Sequence, residues 1–98
     1  MGQRQVNEFD ISGYVVKVEE PERISAIFEK RTLILEVWND KFKHEVPIEF
    51  ANKNMVFLAS IKARDYVTVQ FKLRARKTER DGQIRRFVSL EGIQCYKE

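Results

Sequence analysis

Alternation with a period of two, sustained over ten residues, constrains this chain more than any other feature. From Val67 to Arg76 the apolar residues Val67, Val69, Phe71, Leu73 and Ala75 interleave with Thr68, Gln70, Lys72, Arg74 and Arg76. Successive side chains of a strand point to opposite faces, so this spacing predicts one buried face and one cationic face. Asp81-Gly82 follows, and it suits a tight hairpin because glycine tolerates the positive φ such a turn demands. Residues 66–88 (YVTVQFKLRARKTERDGQIRRFV) therefore read as one long β-hairpin, with Lys77, Arg80, Arg85 and Arg86 carrying the charge around its turn.

The overall net charge of +3 hides how unevenly that charge is spread. Residues 62–86 hold nine Lys/Arg against three Asp/Glu, a net of +6; the other residues hold nine against twelve, a net of −3. A concentrated cationic hairpin suits an anionic partner. Ninety-eight residues suit one domain, 1–98, because a chain this short buries only about two-thirds of its unfolded surface in a single core. A composition of 43% apolar and 34% charged residues argues against disorder. No run of 18 apolar residues occurs and Met1–Glu8 is polar, so the expectation is a cytoplasmic protein with no membrane association. Cys95 and His44 are the only residues of their types, which excludes an intrachain disulfide and a zinc site built from Cys and His. Without a glycine-rich phosphate loop, a nucleophile–base pair or an inward carboxylate pair, neither a cofactor nor catalysis is expected.

Read in order, residues 9–19 (FDISGYVVKVE) form a first strand whose apolar phase slips after Gly13, from Phe9 and Ile11 to Tyr14, Val16 and Val18. A bulge at Gly13 would restore one inward face and bend the strand. Residues 20–30 lack a clean period and contain Pro21, which reads as a long loop. A second strand over 31–38 turns Leu33, Leu35 and Val37 inward and Thr32, Ile34, Glu36 and Trp38 outward. Asn39-Asp40-Lys41 makes a turn into a third strand over 43–50, where Pro47 favours an edge or a bulge. The period then changes. Asn52 or Asn54 can cap a short helix over 53–62 with Met55, Leu58, Ala59 and Ile61 on its apolar side, ended by Asp65. The basic hairpin supplies the last two strands, with a second bulge expected at Gly92. The predicted fold is all-β with one short helix, in the order β-β-β-α-β-β. That is the order of the five-stranded OB-fold barrel. An SH3-like barrel also has five strands but no helix at this position.

The segments LEVWNDK (35–41), EVPIEFANK (45–53) and IKARDYVTVQFKLRARKTERDGQIRRF (61–87) resemble the bacterial single-stranded-DNA-binding proteins. There a serine-and-tryptophan turn, a strand ending Phe-Gly-Lys, a helix ending Leu-x-Lys-Gly and a strand ending Arg-Thr-Arg-Lys follow in the same order. The wider pattern, with FEKRTLILEV (28–37), is similar to a family of small OB-domain proteins of Bacteroidetes and their mobile elements. The resemblance spans residues 9–96. It departs at Arg64, where the family's helix-ending glycine would stand, and at His44 and Thr78, near two further stacking tryptophans. The reduced stacking platform, together with the lack of the family's glycine-rich linker and acidic recruitment tail after Tyr96-Lys97-Glu98, counts against housekeeping duty within the DNA replication and repair that the resemblance implies.

Single-strand binding requires cations that track phosphates and aromatic faces for bases. Lys72, Arg74 and Arg76 recur about every 6.5–7 Å along one strand face, near the phosphate repeat of an extended strand; a solvated face kept charged for solubility would look the same. Arg85 and Arg86 can serve phosphates or pair with Glu79 and Asp81. Trp38, which the resemblance implies stacks on a base, could instead cap the barrel end or sit in a subunit interface. Phe50, in phase with Val46 and Ile48, fits the core as well as stacking. Phe28, beside Lys30 and Arg31, is either a ligand clamp or a loop anchor. Lys43, at the start of the third strand, completes the set with Lys77 and Arg80. Two functions compete: a non-catalytic, sequence-tolerant binder of single-stranded nucleic acid, DNA rather than RNA, working as a dimer or tetramer, and an OB-fold interaction module whose hairpin meets an acidic protein.

Overall fold

The computed structural model describes residues 7–98. Six strands are present: β1 (Phe9–Val18), β2 (Glu22–Ser25), β3 (Phe28–Asn39), β4 (Phe42–Ala51), β5 (Tyr66–Arg80) and β6 (Gln83–Lys97), with a 3₁₀ helix, Asn52–Leu58, after β4. Hydrogen bonding runs β1-β5-β6-β4-β3, and β1 pairs β3 as well, so five strands close on themselves. All these pairs are antiparallel except β4–β6, which meet in a single parallel bridge, Glu49 opposite Glu91. This is the OB-fold barrel that the order of elements predicts.

Where the alternation holds, so does the fold. Leu33, Leu35, Ile48, Phe50, Val67, Val69, Phe71 and Cys95 point inward with Val15, and Leu58 and Ile61 join the same core from the helical segment. Each such side chain contributes about 1.5–3 kcal/mol by leaving water. Burial also pushes the Cys95 thiol up to about 11. The Asp81-Gly82 turn has positive φ at both residues, 53° and 77°, and Gln83 faces Arg80 across it. A register shift beside Gly92 leaves Ile93 without a partner, the bulge expected there.

Three local expectations change. The phase slip of β1 occurs at Val16, between the pairs Val15–Leu35 and Lys17–Ile34, so Tyr14 and Val16 face solvent. Gly13 serves a different end: a Cβ there would run into the Glu36 carbonyl, and glycine lets β1 approach β3 closely. Residues 22–25 are not loop but the strand β2, hairpinned onto the start of β3. The helix is a short 3₁₀ turn rather than an α-helix over 53–62, and no side chain caps it. Asn52 instead accepts the Glu29 N–H (2.9 Å), and Asn54 donates to the Gly92 carbonyl (3.3 Å). Arg64 adopts φ 78° at the position where the resembling family has glycine, and its N–H donates to the Val15 carbonyl (2.7 Å).

Candidate nucleic-acid interface

The site is built on the part of the β5–β6 hairpin that leaves the barrel. From Lys72 to Val88 every residue is exposed. Directly opposed residues share a face. One face carries the pairs Lys72–Glu91, Arg74–Ser89, Arg76–Phe87, Thr78–Arg85 and Arg80–Gln83; the other carries Leu73–Leu90, Ala75–Val88, Lys77–Arg86 and Glu79–Ile84. The first face continues the outer wall of the barrel and the second continues its interior. Arg80 and Arg85 therefore extend the row of Lys72, Arg74 and Arg76, whereas Lys77 and Arg86 leave it. Neither Arg85 nor Arg86 forms an ion pair with Glu79 or Asp81 among the described residues.

The cationic face meets the outer face of β3–β4 across the Glu49–Glu91 bridge. A hollow there is lined by Phe28, Lys30 and Glu49 on one side and by Arg74, Arg76, Phe87 and Glu91 on the other. A second hollow follows along the arm between Arg76, Arg80, Arg85 and Phe87. The row is not free of acids: Glu91 stands 3.4 Å from Arg74 and 3.8 Å from Lys72, and Glu49 3.0 Å from Lys30. These half-exposed surface pairs are each worth about 0–1 kcal/mol in water.

Trp38 lies on the same outer sheet face, 57% exposed, opposite Lys43 near the far end of β3 from Phe28. Its indole N–H donates to Glu36 (3.1 Å), whose other oxygen lies 3.9 Å from Lys43. It is not core, and it lines neither hollow. Phe50 is fully buried and presents no face to a base; its ring fills the space a Cβ of Gly92 would need. Arg31 sits out of phase with Lys30, and its Nε–H donates to the Glu19 carbonyl (2.6 Å), pinning the segment after β1. Phe87 was not among the sequence candidates. It is 45% exposed, borders both hollows, and holds the Arg76 guanidinium 5.5 Å from its ring centre.

A five-stranded barrel of this order, with a basic β5–β6 arm, is an OB-fold. The fold superposes on an SSB from Plasmodium falciparum in complex with ssDNA, with a TM-score of 0.70 at 17% identity, covering 100% of this chain and 99% of that one. A mitochondrial single-stranded DNA binding protein from S. cerevisiae matches with a TM-score of 0.72 at 17% identity, covering 96% of each chain. The chain belongs to the family described as Domain of unknown function (DUF3127), whose model matches residues 10–96. No curated protein sequence matches it.

Proposed function

We propose that this protein binds single-stranded DNA, without catalysis and without strong base preference, along the cationic face of the β5–β6 arm and the adjoining outer face of β3–β4. The observation that carries this reading is the gathering of aromatic and cationic side chains along the two hollows, Phe28 and Lys30, then Lys72, Arg74, Arg76 and Phe87, then Arg80 and Arg85, with Trp38 and Lys43 on the same outer sheet face at the far end of β3. Cations follow the phosphates and rings take the bases. The fold's likeness to an SSB in complex with ssDNA supports DNA as the strand.

Titration of Trp38 fluorescence with oligo(dT) at several salt concentrations tests it. Contacts from Lys72, Arg74, Arg76, Arg80 and Arg85 should give a slope of log affinity against log salt of roughly −3.5 for a single strand. Arg74→Ala should flatten that slope by about 0.7, equally for dT, dC and mixed sequences, because phosphate contacts carry no base information. No binding at low salt would overturn the reading.

One barrel covers only about 4–16 nucleotides, so copies acting together on one strand raise affinity. The edge of β1 over Phe9–Gly13, which among the described residues pairs only with β5, offers the surface for such assembly. A monomer in sedimentation at tens of micromolar protein, about the range where weak dimers form, would remove the oligomer from the proposal.

A further inference from the structure

The second face of the arm has a chemistry that single-strand binding does not use. Its four cross-strand pairs, Leu73–Leu90, Ala75–Val88, Lys77–Arg86 and Glu79–Ile84, set apolar side chains and a single acid, Glu79, around two adjacent cations. Leu73 is 43%, Ile84 46% and Val88 66% exposed, so the barrel does not cover the patch. Lys77 and Arg86 lie directly opposite each other, an arrangement of like charges that destabilises a sheet, and neither has a carboxylate partner among the described residues. Phosphates would satisfy the two cations but leave Leu73, Ile84 and Val88 in water.

We infer that this face docks an extended, acidic-and-apolar segment of a partner protein, with carboxylates on Lys77 and Arg86 and apolar side chains on Val88, Ile84 and Leu73. The size of the patch selects that occupant over a second copy of the chain. Four pairs along two strands span roughly 20 Å by 10 Å, about 200 Å², whereas a stable dimer buries on the order of 800 Å² per partner. A single peptide strand fits such a face. Because the cations for DNA lie on the opposite face, one arm can hold a nucleic acid and a protein at once.

A fluorescein-labelled peptide of about ten residues serves as the probe, with serine at every second position and leucine, leucine, glutamate, glutamate and leucine in turn between them, so that one face of its strand carries both the apolar side chains and the carboxylates. Fluorescence anisotropy should show saturable binding to the full chain that persists when oligo(dT) is present in excess. Lys77→Gln with Arg86→Gln should weaken the peptide at least about tenfold, the loss of one well-formed charged contact, and leave oligo(dT) affinity within about twofold. Val88→Ser should weaken the peptide and spare the DNA. Absence of peptide binding, competition between peptide and oligo(dT), or a double variant that still binds peptide normally would overturn the inference. Concentration-dependent dimers that vanish in Val88→Ser would overturn it in favour of a second copy. A wild-type chain that binds peptide but no DNA would leave this inference standing and sink the proposed function alone.

Discussion

The two halves of the β5–β6 hairpin share one register but not one environment. In the half within the barrel, Val67, Val69 and Phe71 are buried in the core, and Gly92 has no space for a Cβ beside the Phe50 ring. In the other half the same alternation runs on into solvent. Inside the barrel, alternation decides what is buried. Outside it, the same pattern sorts two surfaces, one cationic and aromatic, one apolar with paired cations. Substitutions in the first half should therefore register as stability, and those in the second as binding.

The largest test of that division is Phe50→Ala. Removing a fully buried ring should cost about 3–5 kcal/mol in urea unfolding, while the fraction that remains folded binds oligo(dT) normally. An affinity loss without a stability loss would break the comparison and return Phe50 to the binding site. Phe87→Ala probes the other half. It should cost roughly 1–3 kcal/mol of oligo(dT) affinity with the melting temperature nearly unchanged. A fall in melting temperature as large as that of Phe50→Ala would mean that the arm is packed and not free. The smallest effect belongs to neither half. Arg64 holds a left-handed backbone that glycine adopts without strain, so Arg64→Gly should raise stability by about 1 kcal/mol and leave both binding faces untouched. Thermal denaturation of the two proteins side by side decides it.

Much of this arrangement is legible in the residues themselves. The period of two over Val67–Arg76 and the Asp81-Gly82 turn fix the hairpin, and counting outward from that turn places Phe87 opposite Arg76 and Glu91 opposite Lys72. Judging the cations along their own strand alone misses both. Phe50 was ambiguous because inward phase and a motif position pointed opposite ways; its phase with Ile48 prevails. Other features leave weaker traces. All four residues of β2 are exposed, so no buried face imprints a period on them. The spacing of Met55, Leu58 and Ile61 suits an α-helix, but Asn52 is committed to Glu29 and cannot cap one. A glycine in a strand signals either a bulge or a close approach, and only the pairing of Gly13 beside Glu36 tells which.

The β4–β6 joint has a kinetic consequence. Long ladders join β3 to β4 and β5 to β6, but a single bridge, Glu49–Glu91, closes the barrel between them. Local opening favours the place with the fewest hydrogen bonds, so amide hydrogens of β4 and β6 near that joint should exchange with solvent ahead of those in β3. The hollow assigned to the DNA straddles the same joint, with Lys30 on one lip and Arg74 and Arg76 on the other. A bound strand would act as a suture across it. Exchange there should then slow in proportion to occupancy, reporting the ligand through backbone amides that never touch it.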